Sequence, residues 1–145
     1  MFEKLFLLIK NNAGPSVFNN PAIPQKYHDA IVNEASSTII EVLKGQMETG
    51  KMKDLIRFFQ SAGMYNNSLI RIIVNKFVNK LTKYYGIDTN VAITLANSLI
   101  PPVMHELVKQ SKNEQNKEFS LTNLLSKLNG NRADLTTLVS RMTAA

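Results

Sequence analysis

The side chains able to do acid–base or ligand chemistry are few: two histidines, eleven carboxylates and seventeen basic groups, with four tyrosines and no cysteine. The absence of cysteine excludes disulfides, thiolate metal sites and cysteine nucleophiles. His28 and His105 lie far apart in the chain. His105-Glu106 opens like the helical zinc-protease motif, but that motif requires a second histidine four residues on, where Lys109 stands. His28, next to Asp29, reads as a solvated or locally bonded imidazole. The glycines at 14, 45, 50, 63, 86 and 130 are isolated and sit where helices are expected to end, so they build no phosphate loop. No serine lies in a G-x-S-x-G elbow, and Ser16, after Gly14-Pro15, belongs to a loop. Glu34 and Glu41, at i and i+7, mark a solvated helix face rather than an acid–base dyad. The expectation is no catalytic, cofactor-binding or metal-binding residue, and a protein that is not an enzyme.

Charge gives the one positive candidate. The net charge is +6, and the window 55–87 contains Arg57, Arg71, Lys76, Lys80 and Lys83 with no acid. Lys76, Lys80 and Lys83 follow i, i+4, i+7 and so project from one side of a helix, while Arg71 lies on another side. Three aligned lysines suit an anion or nucleic-acid contact, and a row of phosphate contacts makes binding steeply salt-dependent. The competing explanation is that lysines beside a buried arc lay their stems over the core and keep their ammonium groups in water.

The elements that would carry these groups are all helical. Residues 2–10 form a first helix, with an apolar run of five between Lys4 and Lys10, and residues 11–24, with Pro15, Pro21 and Pro24, read as a loop. A second helix spans 24–46 with Pro24 in its first turn and Ile31, Ala35, Ile39, Val42 and Leu43 on one face. Gly45 and Gly50 bracket a turn. Met52, Leu55, Ile56, Phe59 and Ala62 form a third stripe, ended by Gly63. An Asn66 or Asn67 cap starts a helix to Tyr85, with Ile70, Ile73, Val74, Phe77, Val78, Leu81, Tyr84 and Tyr85 in one arc, the most apolar in the chain. Gly86-Ile87-Asp88 reads as stop, link and N-cap. Val91, Leu95, Leu99 and Ile100 follow until Pro101-Pro102 break the helix, and another runs over 103–111. Residues 111–118 form a mobile connector. Phe119 and Leu124 staple a short helix capped by Ser120 and running to Leu128, and a last helix covers 133–142 with Leu135, Leu138, Val139 and Met142. The fold class is all-α: a compact irregular multihelical bundle of about seven or eight short helices in a single domain, 1–145. Spacing shows no repeat beyond what any row of short amphipathic helices produces.

Over residues 81–107, Leu-Thr-Lys-Tyr-Tyr-Gly-Ile-Asp, then Ala92, Leu99-Ile100-Pro101 and Leu107, the chain resembles the YidB-like family of small bacterial proteins of unknown function. The later Phe119-Ser120-Leu121, Leu124-Leu125, Leu128 and Gly130 resemble a short helix common in that group. The family's glycine-rich tracts are absent and asparagine is abundant instead. The resemblance implies an all-α bacterial domain and brings no catalytic residue with it.

The N-terminus lacks the features of a secretory signal, and charges or amides interrupt every apolar run, as Arg71 and Asn75 do within 69–78. The expected compartment is the cytoplasm. The functional expectation is a helical protein-interaction or self-association module, with exposed Phe or Met side chains at helix edges as a partner patch. The alternative is a nucleic-acid binder using Lys76, Lys80 and Lys83.

Overall fold

A computed structural model of the chain describes residues 2–60 and 67–111. The Gly63 cap, the connector beyond Ser111, the stapled helix at Ser120 and the closing helix from Ala133 lie outside the described residues. Every regular element among the described residues is helical: α1 (Phe2–Asn12), α2 (His28–Glu48), α3 (Met52–Gln60), α4 (Asn67–Tyr85) and α5 (Thr89–Ser111), with a π-helical turn at Gly14–Phe18 and a 3₁₀ turn at Gln25–Tyr27. Packing runs around a ring, α1 on α2, α2 on α4, α4 on α5 and α5 back on α1, while α3 bridges α2 and α5. Lys10 near Asp29 at 3.7 Å sets α1 antiparallel to α2. Contacts of Tyr85 with Tyr27 and of Lys76 with Glu41 set α2 antiparallel to α4. The three-residue link at Gly86–Asp88 turns α5 back along α4.

The stripes read from spacing are the ones buried. Ile31, Ala35, Ile39 and Leu43 of α2, Leu55, Ile56 and Phe59 of α3, Ile73, Phe77 and Leu81 of α4, and Leu95, Leu99 and Ile100 of α5 join one core. Phe58 joins them, its ring edge-on to Phe59 at 5.5 Å. Tyr84 does not: it stands 62% exposed, at the edge of the arc that was expected to bury it. Thr38, buried in α2, donates its hydroxyl to the Glu34 carbonyl at 2.7 Å, so no donor is stranded there.

Two helix ends have the chemistry expected of them. Gly86 takes φ +63° after Tyr85, and the Ile87 amide closes back on the Leu81 carbonyl at 3.2 Å. Asp88 caps α5, its carboxylate accepting the Asn90 amide at 3.1 Å. Three others differ from expectation. Helix α2 passes through Gly45 and ends at Glu48 in a Schellman turn, with Gly50 at φ +78° and the Lys51 amide bonded to the Gln46 carbonyl at 2.9 Å. Pro24 precedes the 3₁₀ turn, and α2 begins only at His28. The stretch after Asn12 winds into the π-helical turn, burying Ala13, Val17 and Ile23.

The largest difference is at Pro101-Pro102, which do not break the helix. Each interior proline costs about 3 kcal/mol through its missing donor and its clash with the carbonyl four residues back. Leu99, Ile100, Val103 and Met104, on the opposite side of the same turns, are all fully buried. Four such side chains stabilise by roughly 1.5–3 kcal/mol each, enough to outweigh two prolines. Asn97 and Ser98, whose carbonyls lose those bonds, sit on the exposed face, where water reaches them. Two expected helices are therefore one of 23 residues. By length and composition α5 could cross a membrane, and half of its apolar window is buried inside this fold.

Candidate interaction surface

Helix α2 has two outward flanks, and the candidate residues divide between them. On the flank shared with α4, the lysine stripe meets a carboxylate that the sequence window 55–87 does not contain. Glu41 accepts a hydrogen bond from the Lys80 ammonium at 2.9 Å on one oxygen and lies 3.1 Å from Lys76 Nζ on the other. Lys80 is the more enclosed of the two, its side chain 18% exposed, while about half of the Glu41 side chain remains in water. The hydrogen bonds from Lys80 and then Lys76 hold the Glu41 carboxyl below its ordinary pKa. Lys83 lies further along the same face, exposed, with its ammonium 5.7 Å from the Tyr84 ring centroid. The three lysines are thus brought to one side, as their spacing requires, but two of them share one acid.

On the flank shared with α1 the surface is apolar. An open groove of about 840 Å³ runs between the helices, with Phe6 and Leu7 as one wall and Asn33, Ser37, Ile40 and Lys44 of α2 along its length. Glu41 forms part of its lining too, so the groove and the basic seam meet at that residue. Leu7 is 53% exposed, while Phe6 and Ile40 are half-buried against the core. The reason lies in α1: with Leu5, Phe6, Leu7, Leu8 and Ile9 in succession, the helix is apolar on more sides than its core-facing stripe can bury. Leu5 and Ile9 take the core and Leu7 is left outside. That five-residue run is the signal for this surface in the sequence.

A second groove, of about 620 Å³, lies between α4 and α5 and is more polar, with Arg71, Asn75, Asn79 and Asn97 around Val74 and Ile93. The histidine near the loop is accounted for locally: His28 Nε2 is 3.1 Å from the Ile23 carbonyl, and its ring stands edge-on to Phe18 at 5.3 Å. Burial first, and the Glu34 charge second, raise the Tyr85 hydroxyl above the ordinary tyrosine pKa. Among the described residues no three of His, Cys, Asp or Glu come together in a way that would hold a metal ion. No family model, no curated protein and no solved structure matches the chain.

Proposed function

We propose that this chain is a non-enzymatic, cytoplasmic helical module that works through protein contacts or self-association, and that the groove between α1 and α2 is its contact surface. The observation that carries this reading is the half-exposed Leu7, set with Phe6 and Ile40 along an open groove with an apolar floor. An amphipathic helix laid there would bury its leucine face on those side chains and present its polar edge to Lys44, Glu41 and the lysines beyond it. Kinship with the YidB-like group is part of the same proposal, supported by the Gly86 turn and the Asp88 cap that the resemblance uses.

The test is sedimentation velocity of the full chain over a range of concentrations, with capture from a bacterial lysate, on the native protein and on Leu7→Glu. Self-association or a retained protein that Leu7→Glu abolishes is the expected result. A monomer at all concentrations that retains nothing, or contacts indifferent to Leu7→Glu, contradicts the reading.

A second reading, nucleic-acid binding by Lys76, Lys80 and Lys83, is favoured by the surplus on the α4 flank, where Lys76 and Lys80 share the one carboxylate of Glu41 and exposed Lys83 adds a third ammonium group. Titration of DNA and RNA binding against salt, with the triple Lys→Ala variant alongside, decides it. Binding that ignores either salt or the lysines removes it.

A further inference from the structure

We infer that the second groove, between α4 and α5, is a site for a short extended peptide that carries an acidic side chain. Its walls are two ladders. Arg71, Asn75 and Asn79 follow i, i+4, i+8 along α4, and Ile93, Asn97 and Pro101 follow the same spacing along α5. The two helices run antiparallel through the Gly86 turn, so Arg71 and Pro101 share one end of the groove, Asn75 and Asn97 its middle, and Asn79 and Ile93 the other end. At about 620 Å³ the groove has the size of a small-ligand site rather than of a seat for a folded partner.

The polar side chains here have no partner inside the fold. Arg71, Asn75, Asn79 and Asn97 are exposed, and among the described residues no side-chain hydrogen bond or ion pair engages them. Asparagine is among the weaker helix formers, so nothing local calls for three of them within α4 and α5. Ile93, 43% exposed, leaves apolar surface beside the half-buried Val78. Among the described residues no acid lines the groove, and the sequence has none between Asp54 and Asp88. The Arg71 guanidinium is therefore open to a carboxylate from outside, which it can hold through two parallel hydrogen bonds.

The spacing of the ladders matches a peptide main chain. Four helical residues advance about 6 Å and two extended residues about 6.6 Å, so Asn75 and Asn79 fall beside peptide groups two residues apart, on one edge of an extended chain. A carboxamide offers an acceptor and donors, the complement of a peptide N–H and C=O. Asn97 offers the same to the other edge, together with its main-chain carbonyl, whose helix donor is missing at Pro101. From Arg71 to Asn79 is about 12 Å, the length of about four extended residues. The occupant is a stretch of that length, with an aspartate or glutamate at the Arg71 end and an aliphatic side chain over Ile93 and Val78. A nucleic-acid strand brings a negative charge with every nucleotide and would meet a single cation here. So small a contact is short-lived and washes off in capture from a lysate, which leaves the test of Leu7 unaffected.

The probe is an array of terminally blocked tetrapeptides with aspartate fixed at each position in turn and valine, leucine, alanine or serine elsewhere. The full-length protein is read on it and on a matching array with lysine in place of aspartate. Aspartate peptides are expected to be held at least about tenfold more strongly, and Arg71→Gln to bring the two arrays within about twofold. Lys83→Ala, which lowers the net charge equally, is expected to leave the preference in place, and Leu7→Glu to leave binding unchanged. Asn75→Ala with Asn97→Ala is expected to weaken the best aspartate peptide at least about fivefold, as is N-methylation of that peptide's main-chain amides. All these positions are exposed, and circular dichroism checks that each variant is folded. An equal response to the two arrays, an acid preference that survives Arg71→Gln or falls as far with Lys83→Ala, or a best peptide indifferent to the asparagine variant and to N-methylation overturns the inference. Tighter binding of a single-stranded oligonucleotide through Arg71 and the asparagines overturns it in favour of nucleic acid.

Discussion

The two flanks of α2 are built from opposite materials. Toward α4 the surface is charged, and part of its charge is paired within the fold: Glu41 engages Lys80 and Lys76 together. Toward α1 it is apolar, and Leu7 and part of Ile40 are left over after the core is filled. The flank that looked functional in sequence is therefore partly neutralised, and the flank that looked structural carries exposed apolar surface. An aligned stripe of like charges specifies a direction in space, and whether it is available depends on what a distant segment places opposite.

The contrast can be broken most directly by interchanging the effects of the two flanks. Leu7→Glu is expected to weaken any self-association or partner contact by tenfold or more, with little change in stability because the side chain is already half in water. The double variant Lys76→Ala, Lys80→Ala is expected to leave contact within about twofold. Sedimentation and thermal unfolding on the same samples separate the two cases, and a larger effect from the lysine variant would reverse the assignment.

A smaller effect tests the charged flank by pH. Glu41 has a lower pKa in the folded chain than in the unfolded one, so the unfolded state binds the proton more readily. The resulting stabilisation is present above the unfolded pKa and is lost as pH falls through the lowered native one. With about half of the carboxylate side chain exposed, screening limits it to no more than about 1 kcal/mol. Glu41→Gln is expected to flatten that acid limb in urea unfolding, and Lys83→Ala to leave it unchanged. At the alkaline end the sign is opposite. Tyr85 keeps its proton longer in the folded state, so stability declines as pH rises from the unfolded tyrosine pKa through the raised one, and Tyr85→Phe is expected to remove that decline.

The smallest effect concerns the helix that both flanks share. A methyl group at Gly45 would meet nothing within 4 Å, and the residue lies inside α2. Gly45→Ala is expected to stabilise by about 0.5–1 kcal/mol while leaving both flanks as they are. The same change at Gly50, held at φ +78°, is expected to destabilise, and chemical denaturation of the pair compares them.

The helical stripes and the Gly86-Asp88 turn were legible because their causes are local: periodicity, a left-handed glycine and a side-chain cap. What was not legible required long-range knowledge. Pro101-Pro102 carry a strong local signal for a break, overridden by burial of Leu99, Ile100, Val103 and Met104 against helices distant in sequence. The same holds for Gly45, which local rules make a stop although α2 continues past it for three more residues. At the site, the spacing of Lys76, Lys80 and Lys83 gave their common face. The partner of two of them, Glu41, is contributed from the neighbouring helix, and i, i+7 carboxylate spacing gave no hint of it. The groove was half-visible, in an α1 too apolar for the one face it buries.

The most direct measurement is site-specific photo-crosslinking in living cells, with a photoreactive amino acid at Leu7 in one variant and at Lys83 in another. The expected result is adducts from Leu7 to another protein or to a second copy of the chain, and none above background from Lys83. Nucleic-acid adducts from Lys83 with no protein adduct from Leu7 would contradict the assignment of contact to the apolar flank.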